Sequence, residues 1–243
     1  VNKVKNMNLS NRKFAITGAS RGLGAALAIE MARSGARLVL LARSSAALQD
    51  VASAILEETG QQVVTMGCDL ASSDSATEAG ARLAAEHKDL DGLIHNGAMW
   101  LSGPMGEVSD IDIQACIASA AIGALILTRH LLPLLRAREH ADIHTVVSTN
   151  GLPNRPLDGA SVPFAAAKSA QAGFVHGLAQ ELEHTNVRVT SVFPGDFDDK
   201  SPLDPDWDAL APDHTLCSRE VVKAILFILN QPRKVAISSL VIQ

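Results

Sequence analysis

The stretch Thr17-Gly18-Ala19-Ser20-Arg21-Gly22-Leu23-Gly24 carries chemistry in its spacing. An apolar run over 13–16 precedes it, and Leu27, Ala28, Met31 and Ala32 follow at helical intervals. A strand that turns sharply into a helix aims backbone N–H groups at one point, with the positive end of the helix dipole behind them. That is an anion site, and residues without a Cβ let a pyrophosphate reach the backbone. Glycines alone say little, but their place between strand and helix makes this turn a candidate dinucleotide site. A second concentration of charge lies over 194–213, where Asp196, Asp198, Asp199, Asp204, Asp206, Asp208 and Asp213 fall close together. Such a run can select a cation or hold a metal, yet a proline- and aspartate-rich stretch reads first as a solvated loop. No metal site is expected. Cys68, Cys116 and Cys217 form no C-x-x-C pair and read as reduced thiols.

The elements that must hold these groups alternate along the chain. Strands are expected at 13–16, 37–41, 62–66, 92–95, 143–148, 187–193 and 235–242. Helices are expected at 25–34, 44–58 (capped by Ser44 or Ser45), 73–87, 109–138, 165–183 and 218–229. The segment 194–217 reads as a long loop that forms a substrate lid. Short buried strands alternating with helices imply a parallel sheet of about seven strands covered on both faces. The expectation is one doubly wound, Rossmann-type α/β domain over 1–243. In such sheets ligands bind beyond the C-terminal strand ends, at the point where strand order reverses. The glycine turn, Arg43, Asp69, Asn96, Ser148 and Pro194-Gly195 all fall at those ends.

Composition narrows the classes of function. With 243 residues, 47% of them hydrophobic, the chain supports a large core. A net charge of −5 argues against nucleic acid or an anionic membrane as the main partner. The longest apolar run, 116–127, is too short to cross a bilayer. No signal peptide opens the chain and its first residue is Val, so a cytoplasmic protein with a processed or truncated start is expected. The helix between Ile111 and Leu135 is apolar on most sides and calls for cover on more than one face, from within the monomer or, the favoured reading, from a second subunit, hence a homo-oligomer, dimer or tetramer.

Taken in order, these landmarks make the chain resemble the short-chain dehydrogenase/reductase family over nearly its whole length. They are T-G-x-x-x-G-x-G at Thr17 to Gly24, Asp69-Leu70, Asn96-Gly97-Ala98, Ser148, Lys168 and Pro194-Gly195. The resemblance implies hydride transfer between a nicotinamide cofactor and a small-molecule carbonyl or alcohol. It places the pyrophosphate at Gly18, Gly22 and Gly24, with Thr17, Ser20, Arg21 and Leu23 around them. It places the adenine at Asp69 and Leu70 and the ribose region at Asn96 and Gly97, with Pro194 and Gly195 completing the cofactor set. Where members specific for NAD carry an acid after the second strand, this chain has Ala42-Arg43, with Arg21 in the turn. Two guanidinium groups and no carboxylate suit a 2′-phosphate, hence NADP(H) in preference to NAD(H).

The family's catalytic signature is Y-x-x-x-K. Here it reads Phe164-Ala165-Ala166-Ala167-Lys168, and the chain has no tyrosine anywhere. The asparagine of the family's proton relay falls at Ala120, judged from Gly123. Ser148 matches the substrate-orienting serine, though its spacing to Phe164 is longer than usual and Thr149 is an alternative. By the resemblance Lys168 also binds the nicotinamide ribose. Candidates for a substitute proton donor are Ser148, Thr149, Asn150, Asp158, Ser161, Lys168 and, more remotely, His176. Met99, Trp100 and Met105 are candidates for the substrate pocket. Two readings follow: an NADP(H)-dependent oxidoreductase with a non-standard site, or a catalytically inactive NADP(H)-binding pseudoenzyme acting as sensor, scaffold or partner subunit. The sequence leaves open whether Phe164 is natural or introduced, and a lyase or dehalogenase would have no use for so complete a nucleotide site.

Overall fold

A computed structural model describes residues 9–207 and 216–243. Its centre is a seven-stranded parallel sheet in the order β3-β2-β1-β4-β5-β6-β7. The strands are β1 (Lys13–Thr17), β2 (Arg37–Ala42), β3 (Val64–Gly67), β4 (Gly92–His95), β5 (Ala141–Val146), β6 (Val187–Pro194) and β7 (Ser239–Ile242). Side chains alternate across it, as a pleated strand dictates. Phe14 and Ile16 of β1 join Leu38 and Leu40 of β2 on one face, under α1 (Gly22–Arg33), α2 (Ser45–Thr59) and α7 (Ser218–Leu229). Ala15, Val39 and Leu41 face the other way, under α3 (Ser73–Glu86), α5 (Gly123–Arg136) and α6 (Val162–Glu181). Two apolar layers, one on each face, explain why the strands carry so little polarity.

Most boundaries follow local capping chemistry. Ser44 caps α2 by accepting the Ala47 N–H, and Ser109 caps α4 (Asp110–Ile117) through the Asp112 N–H. Helix α6 begins three residues before the expected 165, because Ser161 Oγ accepts the Phe164 N–H and Pro163 fits the first turn. Strand β5 starts earlier than expected and ends at Val146, which leaves Ser148 in the loop beyond it. Strand β7 is only Ser239–Ile242, and β3 is shifted to Val64–Gly67.

The long helix expected at 109–138 is three pieces: α4, a wide turn of π-helix over Ala118–Ile122, and α5. The wide turn lies where Gly123 is pressed against Leu70, so closely that a Cβ there would strike the Leu70 carbonyl. Asp110–Arg136 runs for 27 residues and is long and apolar enough to cross a membrane by length and composition, unlike the shorter run marked in the sequence. Packing is what assigns it: Leu127, Leu131 and Leu135 lie in the second core layer. Its other side is open, with Ile111 78% and Leu125 49% exposed.

At the N-terminal ends of the strands, Arg12, Arg188 and Arg233 converge on Asp142 of β5. Burial alone pushes this carboxyl up, but the three facing guanidinium groups outweigh it and hold the group below the usual carboxylate range. This charged knot ties the sheet at the end away from the ligand cleft.

Candidate active site

The C-terminal strand ends open into a cleft of about 700 Å³. Its floor at one end is the glycine turn. Gly18 has φ +67°, and a Cβ there would lie 2.6 Å from Gly97 Cα, so the ends of β1 and β4 approach as closely as they do only without side chains. Thr17 Oγ1 braces this junction by accepting the Asn96 and Gly97 N–H groups, each at 3.1 Å. Asn96 Nδ2 donates to the Gly18 carbonyl at 3.2 Å. Thr17 is therefore buried behind the cleft rather than in it. Ser20, Arg21, Leu23 and Gly24 line the floor, whereas Gly22 is covered by the carboxylate of Asp199. That carboxylate accepts the Leu23 N–H at 2.6 Å. The turn thus already receives an anion, as a strand–turn–helix junction should.

Arg43, just past β2, lines the same end, together with Asp69 and Leu70 after β3. Asp69 Oδ1 is steadied by the Ala71 N–H at 3.0 Å. The Arg21 and Arg43 guanidinium groups have no acidic partner among the described residues. Pro194 and Gly195 close the cleft on the far side, and Gly195 is fixed by its N–H to the Ile242 carbonyl at 2.8 Å.

The other end holds the residues of the altered catalytic signature. Ser148 Oγ accepts the Asn150 N–H at 3.2 Å, and Asn150 Nδ2 in turn donates to the carbonyls of Pro156 and Leu157. Phe164 is 6% exposed and shares a small apolar cluster with Cys116, Ala120 and Ala167. Phe164 and Ala120, where the resemblance sets the family's tyrosine and asparagine, thus belong to one buried apolar cluster. Trp100 meets the Phe164 ring edge-on at 4.6 Å between centroids. Lys168 Nζ lies 5.5 Å from the Phe164 ring centroid and donates to Gln171 Oε1 at 2.9 Å and to the Val146 carbonyl at 3.4 Å. Burial pushes the Lys168 ammonium down to about 8, against a smaller upward pull from Cys116.

Of the candidate proton donors, Ser148, Thr149, Asn150, Asp158 and Lys168 line the cleft. Ser161 does not, because its hydroxyl is buried as the cap of α6. His176 does not either; it sits on the exposed side of α6 with Gln180. Met99 and Trp100 line the cleft as expected, while Met105 does not. Among the aspartates over 194–213, Asp198 and Asp206 pair with Lys200, and Asp204 accepts from Ser201. Asp208 and Asp213 lie outside the described residues. No cluster of three metal-ligating side chains occurs among the described residues. Sequence reasoning missed Gln171 and Ser119 at the site, and took Asp199 only as one of a run of aspartates, not as a partner of the glycine turn; none belongs to a short motif.

A parallel sheet with a cleft over a glycine turn, at the β1/β4 switch point, defines a protein of the Rossmann-type α/β class. Residues 12–206 match the family model of the short chain dehydrogenases, and the chain belongs to the short-chain dehydrogenase/reductase family. An uncharacterized oxidoreductase of Escherichia coli K12 is 34% identical over 190 residues, 77% of this chain and 74% of that one. An NADP-dependent 3-hydroxy acid dehydrogenase of Schizosaccharomyces pombe is 28% identical over 95% of this chain and 91% of its own. The solved structure of a short chain dehydrogenase of Shigella flexneri 2a, complexed with NADP, superposes with a TM-score of 0.83 at 27% identity, covering 98% of each chain.

Proposed function

We propose that this protein is an NADP(H)-dependent oxidoreductase acting on a small-molecule carbonyl or alcohol, with Lys168 taking over the proton transfer that tyrosine performs in its relatives. The observation that carries the reading is a single cleft that joins the glycine turn and Arg43 to Ser148 and Lys168. The cofactor, when bound, supplies or accepts the hydride. The glycine turn suits its pyrophosphate, and Arg21 with Arg43 suits the 2′-phosphate that NAD(H) lacks. Ser148 Oγ orients the carbonyl oxygen. Lys168 Nζ, charged at neutral pH but acidified by burial to about 8, gives its proton to that oxygen as negative charge builds there. In the oxidation direction the neutral amine takes the proton back. Phe164 and Trp100 keep water from the reacting centre. The complexes with NADP among its structural relatives and the NADP-dependent yeast relative support the cofactor assignment.

The working unit in this reading is a homo-oligomer in the cytoplasm, with no nucleic acid or membrane partner. Three free cysteines fit a reducing compartment. The outer faces of α5 and α6 form a shallow apolar groove with Leu125, Pro133 and Phe174, beside Gly173 and Gly177, which suits a second copy.

Replacing Lys168 by arginine tests the proton assignment. Arginine keeps the positive charge but cannot release a proton near neutrality. The expected result is a fall in kcat of about 10²-fold or more with NADPH still bound, because the guanidinium keeps the charge and the donors that the nicotinamide ribose calls for. The parent's kcat for reduction is expected to be level below pH 8 and to decline above it, as the ammonium is lost. The apolar cluster that holds both Phe164 and Ala120 favours a second reading, a cofactor-binding protein without turnover. A parent that binds NADPH yet reduces no carbonyl would favour that second reading.

A further inference from the structure

Asp199 deepens the reading of the glycine turn as an NADP(H) site, and the inference rests on that reading. Its Oδ1 accepts the Leu23 N–H at 2.6 Å, and a Cβ on Gly22 would collide with the same carboxylate. The N–H it takes belongs to the first turn of α1, whose donors have no partner within the helix and are the ones a pyrophosphate uses in this fold. Arg21, the residue at the cap position, contributes no side-chain bond there.

The contact is built into the segment that carries it. The Asp198 N–H donates to the Leu216 carbonyl at 2.9 Å, and the Asp198 carbonyl accepts the Ser218 N–H at 3.1 Å. Ser218 Oγ also donates to that carbonyl and accepts the Lys200 N–H, each at 3.1 Å. Asp199 is thereby held between two backbone anchors at the start of α7. The Lys200 ammonium is engaged by Asp198 at 2.8 Å and Asp206 at 2.6 Å. What draws the Asp199 carboxylate to its place is the helix end itself.

A pyrophosphate and this carboxylate need the same N–H groups, and like charges at that range repel. We propose that Asp199 is a built-in competitor for the cofactor phosphate. The carboxylate caps α1 in the free protein, and NADP(H) binds only as it is displaced, so Asp199 sets cofactor affinity and couples cofactor arrival to a shift of residues 198–200 away from the glycine turn.

The test is NADPH binding to the parent, Asp199→Asn and Asp199→Ala, read by fluorescence titration and by thermal unfolding with and without NADPH. The expected result is about tenfold or tighter binding in both variants, from loss of a charged competitor. The free variants should unfold at lower temperature than the free parent, while NADPH raises their midpoints by more. In the parent, hydrogen exchange over 197–200 should quicken when NADPH is added. A parent that binds NADPH, with variants that bind it equally or more weakly, overturns the proposal and leaves the cofactor assignment standing. Midpoints lowered equally with and without NADPH, or exchange over 197–200 unmoved by NADPH, also overturn it. If no form binds NADPH, the cofactor assignment fails and the competitor falls with it.

Discussion

Phe164 lacks only the oxygen of a tyrosine, yet that oxygen is what gives or takes the proton in the family's catalytic signature. Its ring keeps the packing role, edge-on to Trp100 and beside Lys168. Restoring the hydroxyl by Phe164→Tyr is expected to raise kcat above the parent by up to about 10²–10⁴-fold, the usual worth of a well-placed general acid, measured as NADPH oxidation at saturating substrate. Arg43→Ala is expected to weaken NADPH binding by about tenfold and leave NADH binding nearly unchanged, measured by titration with each cofactor. An equal loss for both would remove the 2′-phosphate from Arg43. Both residues were legible in the sequence, because each sits at a fixed offset from a strand end or from Lys168. Asp199 was not. It reaches the glycine turn from 176 residues away along the chain, and only folding shows which of a run of aspartates does so.

Helix starts were legible at Ser44, Ser109 and the start of α7, but not at α6, where the Ser161 cap sets the start three residues ahead of the expected 165. Elements were less legible where packing decides, as in the π-helical turn at Ala118–Ile122, which sits where Gly123 packs against Leu70. Strands β4 and β5 carry two histidines whose burial has a consequence for acid stability. His95 bonds Thr128 at 2.8 Å and His144 bonds Thr190 at 2.9 Å, both inside the core. Burial lowers His95 to about 3, aided by His144, and lowers His144 to about 4. Their folded values lie below the unfolded one of about 6.5, so the folded protein binds fewer protons below that pH. The stabilisation they represent is complete above pH 6.5 and is lost as pH falls from there toward 4 for His144 and toward 3 for His95. Chemical denaturation at pH 7, 6, 5 and 4 should show stability dropping by roughly 1 kcal/mol per pH unit for each histidine. Asp142→Ala should cost about 3–5 kcal/mol in the same assay, since Arg188 and its neighbours are left with an unpaired, largely buried charge.

On the scale of the whole molecule, the alternation of strand and helix carries the doubly wound sheet, and the strand-end positions of the landmarks carry the cleft. What pattern alone could not supply was which surfaces stay open after folding. Leu125, half exposed beside the groove of α5 and α6, belongs to one such surface. Sedimentation at micromolar concentration should show a dimer or tetramer, and Leu125→Glu should shift it toward monomer; a monomeric parent would remove the oligomer from the account. The most direct test of the central claim is NADPH oxidation by the parent across a broad panel of carbonyl compounds, with Lys168→Arg measured alongside. The account predicts turnover by the parent on at least one carbonyl, falling above pH 8 and lost with Lys168→Arg. A parent that binds NADPH but oxidises it with none of them, while Phe164→Tyr does so readily, would contradict it.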